Sequence, residues 1–284
     1  MMDAHDEIQR LVDLALREDL GELGDVTSAA LLRPDEVGRA KIIARQAGVV
    51  AGTEIAARVF RTVDSSVRVE ARVADGARVN EGEELVSLYG PLAAIFTAER
   101  TALNFLQHLS GIATLTSKFV AAVHGTRAVI LDTRKTTPGL RRLEKAAVVA
   151  GGGTNHRMGL YDMVLIKENH LAAAGGIAKA VSEVKRYLRS RNLVRKIEVE
   201  IKSLAQLAEA VDAEVDRIML DNLDPSAVRE AVRQVAGRAE LEVSGGVALE
   251  NVREFAVTGV DYISVGALTH SAPALDLSLL VCEN

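Results

Sequence analysis

The sequence predicts an α/β fold in which a small antiparallel β unit precedes a C-terminal α/β barrel. Short alternating apolar runs, broken by glycine-bearing turns, fill the region from Gly38 to Leu88 and are typical of antiparallel strands. From residue 128 onward, runs rich in Val, Ile and Leu alternate with amphipathic helical stretches such as SLAQLAEAV, which indicates repeated βα units and parallel strands. With 284 residues, 48% of them hydrophobic, the chain can bury a sizeable core, as one large domain or as a barrel plus a smaller domain.

The composition argues against several classes of protein. The formal net charge is -5 and aromatic residues make up 3% of the chain, so a basic, base-stacking surface for nucleic acid is not expected. No apolar run approaches the roughly 20 residues that span a bilayer, and the first ten residues are too acidic for a signal peptide. Cys282 is the only cysteine and cannot form an internal disulfide. We therefore expect a soluble cytoplasmic protein without a membrane partner.

The N-terminal region begins with a helix. Apolar residues at helical spacing predict this helix over 7–20, and Gly21 is expected to end it. In the following EDLGELGDVTS, we expect Asp25, Thr27 or Ser28 to cap the connection, and we favour that role for Asp25 over a catalytic one.

The β unit admits a binding-module interpretation. VADGARVNEGEELVSLYGP resembles the half-barrel of biotinyl and lipoyl carrier domains, which need a lysine on their exposed turn. Here the turn reads Tyr89-Gly90-Pro91, so a carrier function is set aside. Residues 92–124 then read as two helices that meet near Ser110-Gly111, with Arg100 on a solvated face if its spacing alone is considered.

The barrel strands end in residues that can bind a ligand. Six runs are visible, AVILD, DMVLIK, KIEVEI, DRIMLD, ELEVSGG and DYISVGA, and AAVVAGG is a candidate seventh; because no eighth is visible, the barrel could be incomplete. The C-terminal ends of barrel strands carry the chemistry, so we expect the residues at these ends to converge around one mouth. They are Asp132, Lys167, Glu200, Asp221, Ser244-Gly245-Gly246 and Gly266.

The nature of these residues points to a small, highly anionic ligand. Glycine turns in the last two βα loops favour a phosphate site, because the backbone N–H groups can approach closely. Glu200 and Asp221 could hold Mg²⁺ or hydrogen-bond sugar hydroxyls, could neutralise Lys135 and Lys167, or could do both. The stretch 129–170 concentrates five cations in an acidic chain, which predicts a ligand with several negative charges. These cations are Arg134, Lys135, His156, Arg157 and Lys167.

Six segments resemble quinolinate phosphoribosyltransferase, the carboxylating nicotinate-nucleotide pyrophosphorylase of NAD synthesis. They are EDLGELGDVTS, AERTALNFLQHLSGIATLT, LDTRKTTPGLRRLEK, GGGTNHRMGLYDMVLIKENH, IMLDN and EVSGGV, and the resemblance covers nearly the whole chain. It implies an N-terminal α+β open-sandwich domain over 1–112, to which C-terminal residues could return, and an α/β barrel over 113–284. It also implies transfer of phosphoribosyl from phosphoribosyl pyrophosphate (PRPP) to the ring nitrogen of quinolinate with loss of carbon dioxide, giving nicotinate mononucleotide and pyrophosphate.

The resemblance implies a quinolinate site built from cations. Arg134, His156, Arg157 and Lys167 would hold the two carboxylates of quinolinate. Arg100 would reach the same site from a partner subunit, which implies a homodimer with shared active sites or a higher homo-oligomer. For His156, the sequence supports a second interpretation equally well, as a buried, hydrogen-bonded core histidine.

The resemblance also implies a PRPP site. Lys135 would contact the diphosphate, and Glu200 and Asp221 would contact the ribose hydroxyls and Mg²⁺, so these three residues are the expected catalytic groups. The SGG and VGA turns would take the 5-phosphate, and a threonine and a histidine complete the set. The additional substrate-binding residues are Ser244, Gly245, Gly246, Val265, Gly266, Ala267, Thr133 and His270.

Two alternatives to this activity remain open from the sequence. The chain could be a phosphoribosyltransferase or pyrophosphorylase homologue that acts on another pyridine or aromatic acid, or a non-catalytic barrel that binds phosphorylated metabolites. Lys135, Glu200 and Asp221 argue against a non-catalytic barrel, because a sensor has no need of groups that stabilise a leaving pyrophosphate. Pyrophosphate departure leaves an oxocarbenium-like ribose, so catalysis by positioning and charge stabilisation requires no serine or cysteine nucleophile.

Overall fold

The protein forms two compact units in a computed structural model that describes residues 4–33 and 35–282. Unit 1 contains the described residues up to Ser117, the segment Pro138–Gly152, and the described residues from Ala272 onward. Unit 2 contains Lys118–Thr137 and Gly153–Ser271. The C-terminal segment thus groups with unit 1, and so does Pro138–Gly152, which the predicted boundaries placed in the barrel domain. No helix within the described ranges is long and apolar enough to cross a membrane.

Unit 1 is built on antiparallel strands. They are β1 (Val37–Ala44), β2 (Gly48–Val49), β3 (Arg68–Ala71), β4 (Arg78–Val79), β5 (Glu84–Pro91) and β12 (Leu277–Val281). Four form a sheet in the order β12-β1-β5-β3, and β2 pairs with β4. The register places Ala40 opposite Leu88 and Ile42 opposite Val86, and all four side chains are buried. The predicted antiparallel unit is therefore present, and it buries one set of alternating apolar residues.

Short-range signals set the first two helices. The helices of this part of the chain are α1 (Ala4–Leu20), α2 (Val26–Leu31), α3 (Thr53–Val63), α4 (Leu92–Ala122) and α5 (Arg141–Ala150). Helix α1 buries Val12 and Leu16 and is followed by Gly21, which takes a φ of +52°. The Asp25 carboxylate accepts hydrogen bonds from the backbone N–H groups of Thr27 and Ser28, each at 3.0 Å, and so caps α2. The predicted helix end and the predicted cap are confirmed.

Three helices differ from the prediction. The two helices predicted over 92–124 are one helix, α4, because Ser110 and Gly111 pack closely instead of breaking it. The Ser110 hydroxyl donates to the Ala51 carbonyl and accepts from the Ala51 N–H, and a Cβ at Gly111 would lie 2.1 Å from the Pro273 carbonyl oxygen. AAVVAGG was wrongly predicted as a strand: it continues the helical spacing of α5, which buries Glu144, Lys145, Ala147 and Val148. Helix α3 was not predicted from the sequence.

Unit 2 carries the predicted parallel sheet. Its strands are β6 (Val129–Leu131), β7 (Val164–Ile166), β8 (Ile197–Ile201), β9 (Arg217–Asp221), β10 (Glu240–Ser244) and β11 (Tyr262–Ser264). They are parallel and run in the order β6-β11-β10-β9-β8-β7. Beyond these pairs, an isolated parallel bridge joins Leu131 to Thr154. All six predicted strands are present, and within the described residues β6 and β7 do not pair to close the barrel.

Helices connect the strands of unit 2. They are α6 (Glu168–Ala174), α7 (Ile177–Ser190), a 3₁₀ turn (Leu204–Gln206), α8 (Leu207–Asp212), α9 (Pro225–Val235), α10 (Val252–Ala256) and α11 (Ala267–His270). Helices α7, α8, α9 and α10 pack against one another in chain order. This alternation of strand and helix is the βα repeat that the sequence pattern predicted.

One face of the parallel sheet is charged. The register aligns Glu200 of β8 with Met219 of β9 and Met219 with Glu242 of β10. Because alternate residues of a strand point to the same face, this inner face holds both the polar strand ends and residues two or four positions earlier. Its charged and hydroxyl residues on these three strands are Glu198, Glu200, Arg217, Asp221, Glu240, Glu242 and Ser244.

Candidate active site

A cavity of about 680 Å³ lies in unit 2 at the carboxyl ends of the parallel strands. Strand ends on one edge of a parallel sheet converge, so residues far apart in sequence meet there. Fourteen of the predicted site residues line this cavity. They are Thr133, Arg134, Lys135, His156, Arg157, Lys167, Glu200, Asp221, Ser244, Gly245, Gly246, Gly266, Ala267 and His270.

Three predicted residues do not line it. Asp132 is fully buried, and its carboxylate accepts a hydrogen bond from the His156 N–H at 2.8 Å. Val265 has a buried side chain, and its N–H donates to the Leu131 carbonyl at 2.9 Å, so its contact with the ligand stays a prediction. Arg100 is an exposed residue of α4 in unit 1 and is not among the lining residues. Its role stays a prediction.

Cations cover one side of the cavity. Arg134 and Lys135 follow β6, where the Thr133 hydroxyl accepts a hydrogen bond from the Lys135 N–H at 3.1 Å. Arg157 donates from Nη1 to the Met163 carbonyl at 3.3 Å. Burial and the charge of nearby Arg134 lower the pKa of Arg157. An anion between the two guanidinium groups would relieve this repulsion, so this side of the cavity favours a multiply charged anion.

Two carboxylates mark another part of the cavity. The Lys167 ammonium lies 3.0 Å from Glu200 Oε2, so the predicted neutralisation of a lysine by Glu200 is present. Asp221 accepts a hydrogen bond from the Asn222 side-chain amide at 2.9 Å. These two oxygen donors suit Mg²⁺ that keeps water and substrate oxygens as its other ligands, which is how Mg²⁺ usually binds beside phosphates. The donor set therefore fits Mg²⁺ delivered with a phosphate-bearing substrate.

The glycine turns have strict steric requirements. Gly245 and Gly246 take φ values of +90° and +65°, in the region that favours glycine. A Cβ at Gly245 would lie 2.3 Å from Asn222 Oδ1. A Cβ at Gly266 would lie 3.0 Å from the Lys135 side chain and 3.2 Å from His270 Nε2. Glycine is thus needed here so that loop backbone and cationic side chains can come together.

His156 is both buried and part of the cavity lining. Its Nε2 lies 3.1 Å from Glu198 Oε2 and 3.3 Å from Glu242 Oε2, and its Nδ1 accepts a hydrogen bond from the Arg157 N–H at 2.7 Å. Burial alone would lower the pKa of His156, whereas the hydrogen bonds and charges of the two carboxylates raise it. The hydrogen bond from the Arg157 N–H opposes this rise in pKa, because it needs the unprotonated lone pair of Nδ1. A proton on Nδ1 cannot coexist with a donor at 2.7 Å, so we assign the neutral ring, with its proton on Nε2, to this arrangement.

Five lining residues were not predicted from the sequence: Leu165, Met219, Asn222, Val247 and Ser264. Met219 and Ser264 each lie two positions before a predicted strand-end residue, so the two-residue alternation of strands could have identified them. Glu198 and Glu242 could have been found in the same way, as acids at alternate positions of KIEVEI and ELEVSGG. Asn222 follows directly in IMLDN, but its φ of +56° and its bond to the Ser244 carbonyl are set by the fold.

Comparison with known proteins identifies the family. Residues 25–110 match the quinolinate phosphoribosyl transferase N-terminal domain, and residues 112–280 match the C-terminal domain of the same family. The chain is 44% identical over 290 aligned positions to quinolinate phosphoribosyltransferase [decarboxylating] 1 of Nicotiana glauca, covering 97% of this chain and 82% of that protein. It is 42% identical to the probable nicotinate-nucleotide pyrophosphorylase [carboxylating] of Bacillus subtilis, covering 97% and 93% of the two chains.

A solved structure agrees over the full length. The crystal structure of NadC from Streptococcus pyogenes matches with a TM-score of 0.93 at 38% identity, covering 100% of both chains. Both family domains are matched, and the sequence relatives are aligned over nearly all of this chain. The chain therefore belongs to the quinolinate phosphoribosyltransferase family.

Proposed function

We propose that this protein transfers the phosphoribosyl group of PRPP to the ring nitrogen of quinolinate and releases carbon dioxide, forming nicotinate mononucleotide and pyrophosphate. The observation that carries the proposal is that a single cavity presents clustered cations, two strand-end carboxylates and two glycine turns. The cations suit a pyridine with two adjacent carboxylates. The carboxylates and the glycine turns suit a phosphorylated sugar that carries a diphosphate. The membership of the chain in this family supports the same reaction.

The cavity divides between the two substrates. Arg134, Arg157 and Lys167 bind the quinolinate carboxylates, since planar guanidinium forks pair bidentately with carboxylates. Lys135 binds the diphosphate of PRPP, and Glu200 and Asp221 bind the ribose hydroxyls. The turns at Ser244–Gly246 and Gly266–Ala267, with Thr133 and His270 beside them, bind phosphate through N–H, hydroxyl and ring donors.

The chemistry requires positioning more than covalent catalysis. The quinolinate nitrogen forms a bond to ribose C1 while the bond from C1 to the pyrophosphate oxygen breaks, and the leaving electron pair stays on pyrophosphate. Lys135 stabilises that developing charge. The adjacent carboxylate then leaves the cationic ring as carbon dioxide, its bonding pair remains on the ring carbon, and a proton takes its place. Cations that hold the ring in place supply the orientation both steps need.

The proposal includes Mg²⁺ as the metal of this reaction. Glu200 and Asp221 would hold it together with oxygen atoms of PRPP, since Mg²⁺ commonly binds one or two carboxylates plus substrate phosphates. When bound, it would offset the negative charge of the diphosphate. The Lys167–Glu200 contact at 3.0 Å supports a site completed by the substrate rather than a cage made of protein ligands alone.

We further propose that the protein acts as a homodimer, or a higher homo-oligomer, with active sites shared between subunits. Arg100 is exposed on α4 and would be supplied to a partner's cavity. Large apolar residues are exposed on unit 1 at Leu14, Leu23, Val26 and Leu31, and apolar surface of this kind is common at subunit interfaces. A twofold interface would create two equivalent sites.

A cytoplasmic location also belongs to this proposal. The single cysteine, Cys282, is suited to a reducing compartment. Several plant relatives carry mitochondrial or chloroplastic in their names, so the location of this chain should be measured by imaging a tagged copy in its own cell.

Carboxyl-labelled quinolinate provides the direct test of the reaction. The protein is incubated with the labelled acid and Mg²⁺, with and without PRPP, and released carbon dioxide is counted. Release that depends on PRPP and matches pyrophosphate formation is the expected result. Pyrophosphate formation with another aromatic acid but not with quinolinate would indicate a different acceptor, and binding without turnover would indicate a non-catalytic barrel.

A further inference from the structure

His156 lies between the buried inner face of the sheet and the backbone of Arg157. Its side chain is only 6% exposed, and both ring nitrogens are engaged by protein atoms. On one side, Nε2 lies 3.1 Å and 3.3 Å from the carboxylates of Glu198 and Glu242. On the other side, Nδ1 accepts the Arg157 N–H at 2.7 Å. A ring used in this way has no nitrogen left to donate to a ligand in the cavity.

The carboxylates below His156 are buried, and that of Glu242 is held by two neighbouring strands. Glu198 and Glu242 are fully buried, and Arg217 of β9 donates to Glu242 at 2.9 Å. The Ser264 hydroxyl of β11 also donates to Glu242. Strands β9 and β11 therefore hold Glu242 of β10 in place, which ties the position of the imidazole to the sheet.

The backbone around Arg157 is held from both directions. The His156 N–H donates to the buried Asp132 carboxylate at 2.8 Å. Beyond Arg157, the N–H groups of Met158 and Gly159 donate to the Asp162 carboxylate at 2.6 and 3.0 Å. The Arg157 N–H is the donor between these anchors, and its acceptor is the His156 ring. The imidazole thus links the orientation of Arg157 to the sheet.

We propose that His156 is a positioning residue that acts through Arg157, and that it does not itself bind a carboxylate of the substrate. The inference deepens the proposed function and rests on it, because it takes the ligand of Arg157 to be quinolinate. It departs from the role that the family resemblance implied for His156. Glu198 and Glu242 belong to the same positioning unit, because they fix the ring whose other nitrogen holds the Arg157 backbone.

A double-mutant cycle distinguishes positioning from direct binding. Quinolinate affinity is measured by calorimetry without PRPP for the parent, His156→Ala, Arg157→Ala and the double variant. If His156 acts through Arg157, the double variant binds about as weakly as Arg157→Ala alone, a loss of about 10- to 100-fold. Two losses that multiply would show an independent contact to the substrate and would overturn the proposal. No binding by the parent would instead refute the proposed function.

A control variant and a conservative variant separate this role from general destabilisation. His108→Ala is the control, because it also removes a contact between a histidine and a buried carboxylate. His108 lies 2.8 Å from the fully buried Glu144 in unit 1, outside the cavity. It should lower thermal stability and leave quinolinate affinity unchanged. His156→Gln keeps an acceptor near the Arg157 N–H and should recover part of the affinity lost in His156→Ala. No recovery in a folded His156→Gln protein would contradict the proposal.

The ring can also be observed in the parent protein if both substitutions fail to fold. Nitrogen-15 chemical shifts of labelled histidine distinguish a protonated Nε2 from a protonated Nδ1. We expect His156 to show a proton on Nε2 and a bare Nδ1, both before and after quinolinate binds. A ring protonated on both nitrogens, or a tautomer that changes when quinolinate binds, would overturn the proposal.

Discussion

Two neighbouring guanidinium groups favour an anionic ligand in the cavity. Arg134 lies close enough to Arg157 for its charge to lower the pKa of Arg157, and burial acts in the same direction. Burial and the neighbouring charge both make the site unfavourable without a ligand, because a buried cation beside another cation is costly when no counter-ion is present. The arrangement therefore favours a ligand with adjacent negative charges, as quinolinate has.

Replacing Arg157 by alanine should weaken quinolinate binding by about 10- to 100-fold, because hydrogen bonds to a charged group are lost. The fold should remain, since the Arg157 guanidinium contacts the backbone through a single long hydrogen bond to the Met163 carbonyl, at 3.3 Å, among the residues that the structure describes. Titration calorimetry measures the affinity, and circular dichroism checks the fold. Arg186→Ala is the control, because Arg186 is an exposed arginine of α7 paired with Glu183. Unchanged quinolinate affinity in Arg157→Ala would refute the carboxylate assignment.

Replacing Glu200 and Asp221 together by their amides should abolish PRPP-dependent turnover and weaken the dependence on Mg²⁺, because neutral amides are poorer magnesium ligands than carboxylates. Quinolinate binding without PRPP should survive. Turnover is measured against Mg²⁺ concentration, with calorimetry for quinolinate. The matched control is Glu183→Gln with Asp212→Asn, two exposed acids of unit 2. Loss of quinolinate binding with normal PRPP affinity would reverse the division of the cavity.

The loop after β10 has a fixed backbone that suits the proposed phosphate site. Gly245 combines a φ of +90° with close contact to Asn222. The loop is held at its other end by Asn251, whose side chain donates to the Gly246 carbonyl at 3.0 Å and accepts from the Ala248 N–H at 2.8 Å. Its backbone is therefore fixed before a ligand arrives, which reduces the entropy cost of binding.

Gly245→Ala tests this loop against a control with the same backbone strain. We expect a raised KM for PRPP, by about 10- to 100-fold if one phosphate hydrogen bond is lost, because the Cβ would displace Asn222. Gly237→Ala also places alanine at positive φ, +80°, but its Cβ meets no atom within 4 Å and it lies outside the cavity. Both variants should lose roughly 1–2 kcal/mol of stability from strain. Equal KM values for PRPP in the two variants would count against a phosphate role for the loop.

The two units have different roles in the proposed enzyme. Unit 2 contains every residue that lines the cavity. Unit 1 contains Arg100, which the proposal assigns to a partner's cavity, on a helix that precedes the barrel strands in sequence. If Arg100 serves the cavity of a second copy, the single chain is an incomplete enzyme, and activity depends on association.

Complementation tests the shared site. Arg100→Ala and Lys135→Ala proteins, each expected to be inactive, are mixed under conditions that allow subunit exchange. In a mixed dimer one site carries both lesions and the other carries neither, so activity approaching one intact site per mixed dimer should return. Each variant mixed with itself is the control. If mixed dimers form, as shown by native mass spectrometry, and activity stays absent, Arg100 acts within its own chain or has only a structural role.

The sequence alone determined the elements that depend on local patterns. Alternating apolar residues predicted the antiparallel unit, and runs rich in Val, Ile and Leu predicted all six parallel strands. Short-range rules made Gly21 the end of the first helix and Asp25 the cap of the second. The strand-end rule placed seven of the fourteen site residues together, because the direction of parallel strands fixes where their ends meet. The family motifs assigned substrates to that site.

Tertiary packing decided the rest. Ser110 and Gly111 resemble a helix break, yet α4 continues through them because their small side chains allow close contact with Ala51 and Pro273. Two valines favoured a strand at 146–152, but burial of one face of α5 made that segment a helix. The position of His156 depends on carboxylates 42 and 86 residues away in the sequence, which only the register of β8, β9 and β10 brings beneath its ring. Contacts over such separations leave no local pattern, so the structure was needed to link His156 to Arg157.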